Sequence, residues 1–362
     1  MSLADVQTAL YVQYPDANRD VYDTLFKTLS GLSIDPEVGE GTILEFKRRQ
    51  GALKLSETAF KMSSGLVDEE NLRQTWEELF GEQVDHTLDV GLECVTDDLE
   101  ELIEKTYAKQ GLRWRLDCLN KSLGSLRPGD FGFIFARPET GKTTFLASEA
   151  TRFLEQSERP VIHFNNEEQG NKVMLRYYQA YFGITTDQLL ANPRRYRDEF
   201  KERTGGRFKL FDGATISKSE VERVVKHYEP SLVIYDQLPK IKGFQSDRDD
   251  LRLGAIFQWA RELAKGRHAA IGVSQADGTA EGVRYLTMDH VANAKTAVQA
   301  EADWILGIGK IHDDAQQGIR FLNLSKNKLL GDQDSIPELR HGRFEVKIES
   351  ELARYKDIIK FD

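Results

Sequence analysis

Residues 136 to 143 read Ala-Arg-Pro-Glu-Thr-Gly-Lys-Thr. Their types and spacing suit the binding of a triphosphate. The general phosphate-loop pattern is G-x-x-x-x-G-K-[ST], and alanine stands here in place of its first glycine. Gly141 lets the backbone approach a phosphate with no Cβ in the way. Main-chain N–H groups at the start of the next helix point at phosphate oxygens, and the helix dipole adds to them. Lys142 reaches the β- and γ-phosphates, and Thr143 offers its hydroxyl to Mg²⁺. Ala136, Arg137, Pro138, Glu139, Thr140 and Thr144 complete the expected nucleotide contacts. Alanine at position 136 is small enough for the loop, provided that the position does not require a positive φ.

Further polar residues follow short apolar runs: Asn165, Asn166 and Glu167 after "PVIHF", Asp236 after "LVIY", and Ser274 and Gln275 after "AAIGV". In a parallel α/β sheet, ligands bind at the carboxyl ends of the strands, so these residues are expected on one edge with the loop. Asp236 is a Walker B type carboxylate for the metal, with a strand-end cap as its alternative. Glu167 is the candidate general base that polarises water. Glu168 competes with it, and a glutamate near a helix start also has a purely electrostatic reading. Gln275 is a candidate γ-phosphate sensor or a plain sheet-edge hydrogen bonder. ATP and Mg²⁺ are the implied cofactors.

The elements that must position these residues are legible as texture. Residues 1–95 carry apolar residues at three- and four-residue spacing and read as a small helical domain. Residues 96–112 contain an amphipathic helix with an apolar stripe of Leu99, Leu102, Ile103 and Tyr107. From 113 to 362, β-branched and aromatic runs alternate with helical stretches, the signature of a mainly parallel sheet covered by helices. After residue 304 the helical patterns stop, and "IRFLNLSKNK" and "RFEVKIES" read as an antiparallel extension. The expected fold class is α/β with a preceding all-α domain.

Composition narrows the function classes. The chain has 362 residues, 40% hydrophobic and 30% charged, which suits a soluble globular protein. No run of about 18 apolar residues suggests a membrane span. The first residues lack a secretory pattern, so a cytoplasmic location is expected. Cys94 and Cys118 form no C-x-x-C pair, so a zinc ribbon is excluded. A net charge of −10 argues against a chain coated by nucleic acid, while leaving room for local basic loops.

Taken together, these motifs resemble the DnaB-like replicative helicases, hexameric motors of the RecA-type superfamily, in a phage-type form. "FARPETGKTTF" looks like their Walker A segment, in which alanine likewise replaces the first glycine. "FNNEEQGNKVMLRYY" resembles the segment carrying the catalytic glutamate and favours Glu167. "SLVIYDQLPKI" is similar to Walker B, and "AIGVSQ" to the sensor strand. "MDHVANAKTAVQAEADWILGIGK" is similar to the DNA-loop segment, and "LNLSKNKLLGD" to the finger motif Lys-x-Arg. The resemblance implies a P-loop NTPase core that hydrolyses ATP between the subunits of a homo-hexameric ring. It implies 5′–3′ travel on single-stranded DNA at a replication fork, with primase, helicase loader and polymerase as partners and no fused primase. Lys326 and Lys328 then belong to the nucleotide site of the neighbouring subunit, with Lys328 catalytic in the place of the family's arginine. Lysine lacks the guanidinium fork, and a solvated strand face is the alternative. Asn293 and Lys295 occupy the DNA loop, which lacks the arginine-rich signature of many members. Lys240 and Lys242 form a second basic loop. Residues 96–110 take the place of the family's linker helix, and 1–95 that of its collar. Two other readings remain open: a RecA- or KaiC-like ATPase without unwinding, and a nucleotide-gated scaffold.

Overall fold

The computed structural model describes residues 11–12, 18–30, 36–68, 71–72, 75, 99, 111–244, 246–292 and 295–359. The chain divides into two compact units, Met1–Asp97 and Asp98–Asp362. In the first, helices α1 (Arg19–Ser30) and α2 (Pro36–Ser63) coincide with expected helical segments. Proline opens α2, where its missing N–H has no intrahelical partner to lose. The segment expected as an amphipathic helix over 96–110 lies outside the described residues apart from Leu99.

The second unit is built on one nine-stranded sheet of order β3-β2-β4-β5-β1-β6-β7-β8-β9. Its strands are β1 (Phe131–Ala136), β2 (Val161–Asn165), β3 (Phe208–Asp212), β4 (Leu232–Asp236), β5 (Ala269–Gln275), β6 (Trp304–Gly309), β7 (Ile319–Asn327), β8 (Arg343–Glu349) and β9 (Arg354–Asp357). Across the sheet from β3 to β6 the strands pair in parallel, and β7 to β9 continue antiparallel. The α/β class with a C-terminal antiparallel extension is thus the one expected. The short, charged β9 was not anticipated. "RYKD" carries no alternation long enough to read.

Every residue of β1, β2, β4 and β6 is buried. Such continuous apolar runs are what strands covered on both faces require. In β8 buried and exposed residues alternate, as expected where one face meets solvent. The helices are α3 (Asp117–Leu123), α4 (Lys142–Gln156), α5 (Gly170–Phe182), α6 (Thr186–Ala191), α7 (Pro193–Thr204), α8 (Lys218–Tyr228), α9 (Asp249–Ala264) and α10 (Lys295–Glu301). Capping boxes Thr185/Gln188 and Ser217/Glu220 open α6 and α8.

The pleat of β1 feeds two cores. Phe131, Phe133 and Phe135 enter the one containing Phe257 and Trp259 of α9. Ile134 and Ala136 face the other, with Phe145 and Phe153 of α4, Tyr177 of α5, Trp304 and Tyr355. On that second face Trp114 meets Trp304 edge-on at 5.5 Å and Phe153 at 5.0 Å. The indole of Trp304 lies where a side chain at 132 would stand: a Cβ on Gly132 would be 2.1 Å from it.

Two expected outcomes follow from this packing. Gly132→Ala should destabilise the domain by about 1–3 kcal/mol, the range for overpacked cores, read as a lower denaturant midpoint. Glu149, fully buried on α4, accepts from the backbone N–H groups of Arg115 and Leu116. Burial pushes its carboxyl up to about 7, against the pull of Arg115. The folded chain therefore holds this proton more tightly than the unfolded one, whose glutamate titrates near ~4.3. Its contribution falls as pH rises from there through about 7. Glu149→Gln should flatten the stability–pH slope in that window.

Candidate nucleotide-binding site

Ala136 is the last residue of β1, in register with Gln275 of β5, and its carbonyl accepts from Ala276 N at 3.0 Å. The position is strand rather than turn, so alanine meets no conformational obstacle there. The left-handed residues of the loop come later, at Glu139 (φ 58°) and Gly141 (φ 104°). At Gly141 glycine is required twice over: the conformation disfavours any Cβ, and a Cβ would lie 2.7 Å from Ile348 Cδ1 and 2.9 Å from the Tyr355 hydroxyl.

The loop is braced from behind by the antiparallel extension. Arg320 of β7, itself buried, donates through Nε to the Thr140 carbonyl at 2.6 Å. Its Nη1 donates to the carbonyls of Gln317 and Ile319, each at 2.7 Å. The Tyr355 hydroxyl donates to the Gly141 carbonyl at 3.3 Å. On the flank, Arg137 pairs with Glu281 at 3.0 Å and donates to the Ala276 carbonyl. None of Arg320, Tyr355 or Glu281 was singled out from the sequence. The available signal was an arginine inside the apolar run "IRFLNL".

Lys142 opens α4 and is buried, its Nζ donating to the Arg137 carbonyl at 3.2 Å. Burial lowers its pKa, while Glu167 and Asp236 pull it back up. The Thr143 hydroxyl donates to Glu168 at 3.2 Å, and the other oxygen of Glu168 pairs with Arg176 at 2.7 Å. Glu167 is exposed and receives Gln237 Nε2 at 2.8 Å. A cleft of about 410 Å³ gathers Pro138, Glu139, Gly141, Lys142, Thr143, Thr144 and Glu167 with Glu168, Arg176 and Arg320. Glu168 is thus committed to Thr143 and Arg176, while Glu167 sits at the cleft with an amide partner.

Asp236, the last residue of β4, is fully buried, and neither carboxylate oxygen has a hydrogen-bond partner among the described residues. The side-chain oxygens of Asn165 and Asn166, on the neighbouring strand end, are likewise without partners there. A buried carboxylate without compensation is costly, and hard oxygen donors suit a hard cation. The residues fit Mg²⁺, with Asp236 and Thr143 as its holders. Among the described residues no group of three or more His, Cys, Asp or Glu could hold a metal alone. That accords with Mg²⁺, which is usually bound through one or two protein oxygens together with substrate phosphates.

Other expected residues lie elsewhere. Gln275 ends β5, and its carbonyl accepts from Ala292 N at 3.0 Å, tying the strand end to the segment before position 293. Lys240 and Lys242 lie beyond the end of β4, Lys242 exposed and Lys240 likewise, and Lys242 exchanges backbone hydrogen bonds with Ile216 and Lys218. Lys295 begins α10, and Asn293 lies outside the described residues. Lys326 and Lys328 sit at the other edge of the sheet. Asn327 pairs with Trp304, which pairs with Gly132 near the start of β1. They therefore do not reach their own chain's cleft. Lys326 donates to the carbonyls of Gln299 and Ala300 at the end of α10, and burial with the nearby Lys328 pushes its pKa down to about 8. Lys328 is exposed beside a recess lined by Asp130 and Asp303.

The AAA domain family AAA_25 matches residues 99–275. The replicative DNA helicase DnaB of Pasteurella multocida is 25% identical over 206 residues, covering 51% of this chain and 44% of that protein. DnaB of Haemophilus influenzae is 23% identical over 282 residues, covering 72% and 58%. Over these stretches the chain is similar to DnaB replicative helicases. Among solved structures, one described as an ATPase domain matches this chain with a TM-score of 0.59 at 17% identity, over 76% of the chain and 99% of that domain. A DnaB-like replicative helicase, described with its interactions with primase, matches with a TM-score of 0.60 at 16% identity, over 98% and 87%. Both share the RecA-like fold. The chain spans about half the length of the curated DnaB relatives that it matches. No described helix is long and apolar enough to cross a membrane.

If Arg320 braces the phosphate loop of this site, Arg320→Ala should weaken binding of a fluorescent ATP analogue about tenfold, the scale of one lost charge-assisted hydrogen bond. An unchanged dissociation constant in a folded variant would remove Arg320 from the site.

Proposed function

We propose that the chain is an ATP- and Mg²⁺-dependent replicative DNA helicase that works as a ring hexamer. The observation that carries this reading is the division of the motif residues between two opposite sheet edges. Lys142, Thr143, Glu167 and the unpartnered Asp236 lie at the carboxyl edge. Lys326 and Lys328 lie at the amino edge, beyond reach of the same nucleotide. A second copy presenting its amino edge to the first would complete the pocket, and repetition of that heterologous contact closes into a ring.

In this reading Lys142 leaves the Arg137 carbonyl for the β- and γ-phosphates of ATP. Thr143 and Asp236 would hold Mg²⁺, which when bound would neutralise phosphate charge. Glu167, steadied by Gln237, orients the attacking water and takes its proton. Lys328 of the adjacent subunit stabilises charge on the transferring phosphoryl group. Gln275 lies on the strand end tied to residue 292, a short route from phosphate to the Asn293 and Lys295 loop. Those residues, with Lys240 and Lys242, contact the backbone of single-stranded DNA, which gives grip without sequence preference. The family likeness supports 5′–3′ travel, a cytoplasmic setting, and primase, loader and polymerase as partners. Residues 1–95 would form the collar, 96–112 the linker, and 113–362 the motor.

The test is ATP hydrolysis and strand displacement on a forked duplex. Lys142→Ala should abolish both. Glu167→Gln should keep ATP binding and lower kcat by about 10²–10⁴-fold, the usual weight of a general base. Lys328→Ala should lower kcat by about 10³-fold, and mixing it with Lys142→Ala subunits should restore part of the activity at interfaces that carry both intact lysines. ATP turnover that never separates strands, with or without a loader, would defeat the helicase reading. A filament on DNA would favour a recombinase.

A further inference from the structure

Beneath the metal carboxylate lies a buried pair that this reading of the site does not use. His163 of β2 and Tyr177 of α5 are both fully buried. The Tyr177 hydroxyl lies 2.7 Å from His163 Nδ1, with no other hydrogen-bond partner among the described residues. On the far side of the ring, His163 Nε2 is 3.8 Å from Asp236 Oδ2. Neither of those two atoms has a hydrogen-bond partner among the described residues.

The balance of donors and acceptors assigns the tautomer. A buried phenol must place its proton on an acceptor, and burial keeps Tyr177 from ionising. Nδ1 is the acceptor at hand, so the proton of the neutral imidazole stands on Nε2. That N–H faces Asp236 Oδ2. At 3.8 Å it is too long for a direct hydrogen bond, and a shift of the carboxylate by about 1 Å would bring the two into hydrogen-bond range. Gripping Oδ2 in this way leaves Oδ1 for the cation. Carboxylates that hold metals are commonly oriented by such outer partners, whose removal costs about 10–100-fold in metal affinity.

We propose that His163, with its tautomer fixed by Tyr177, is a positioning residue that orients Asp236 toward Mg²⁺. The inference rests on the nucleotide-site reading above. It differs from a merely structural role in what it predicts: the pair acts on the metal's contribution to nucleotide binding, with nucleotide binding in the absence of metal left alone.

The experiment titrates the full chain with a fluorescent ATP analogue, once in Mg²⁺ and once in EDTA, and takes the ratio of the two affinities. His163→Leu keeps the apolar bulk and removes the donor. It should reduce the Mg²⁺ enhancement by about tenfold and leave the EDTA affinity unchanged. Tyr177→Phe should reduce it several-fold, since it frees the tautomer without emptying the core. His163→Gln, whose amide can present an N–H, should recover part of the enhancement. If His163→Leu does not fold, Tyr177→Phe and His163→Gln decide the question. An unchanged Mg²⁺ enhancement in the folded variants, or equal losses with and without metal, would overturn the positioning role alone. Failure of the unmodified chain to bind the analogue in either buffer would overturn the nucleotide-site reading with it.

Discussion

A carboxylate buried at the end of a central strand is the constraint on which the rest of the site depends. Asp236 ends β4 with both oxygens unpartnered among the described residues, in surroundings where an isolated charge is costly. Strong partners near it would satisfy it permanently and leave nothing for a ligand to do. The structure keeps them at a distance instead: Lys142 is held on the Arg137 carbonyl, Thr143 on Glu168, and His163 Nε2 at 3.8 Å. In the proposed reading, compensation would come from a cation that arrives with phosphates. Ligands that bind only the folded state add to its stability, so occupancy of the cleft would then firm the sheet edge.

The antiparallel extension packs against that edge. β7 carries Arg320 behind the phosphate loop near one end and Lys326 at the other. With ~3.4 Å per residue, the strand links points roughly 20 Å apart. One continuous strand, with a single register shift opposite Ile305/Leu306, thus runs from the loop to the opposite edge. Ile348 and Tyr355 from the following strands close on Gly141 so tightly that only glycine fits. The extension, which carries none of the phosphate-loop motif, thus decides the loop's shape.

Charge is arranged locally against the sign of the whole. The chain carries a net −10, yet Lys240 and Lys242 stand exposed together beyond β4. The acidic groups that counter cations elsewhere are spent on structure: Glu281 on Arg137, Glu168 on Arg176, and Asp303 on Arg261. Overall charge governs long-range behaviour, whereas grip on a backbone depends on a few lysines within a Debye length of about 8 Å.

Much of this was legible in the residues. The buried strands announce themselves as unbroken apolar runs because both faces are covered, and the polar residues that end them are readable as one edge because parallel strands all point the same way. Position 136 needed the backbone: alanine is acceptable because the strand has not yet ended there, a fact of register. The bracing by Arg320 and Tyr355, the engagement of Glu168 with Thr143, and the pair beneath Asp236 were not readable. Each joins residues far apart in the chain, and no local pattern marks such a contact. The sequence by itself determined most element types, their order and which polar residue stands at each strand end, the short β9 excepted, since these follow from local periodicity and residue identity. Only the tertiary structure decided which side chains hold one another and that Lys326 and Lys328 lie at the edge opposite their own cleft, because hydrogen-bond geometry and strand register exist only once the sheet is assembled.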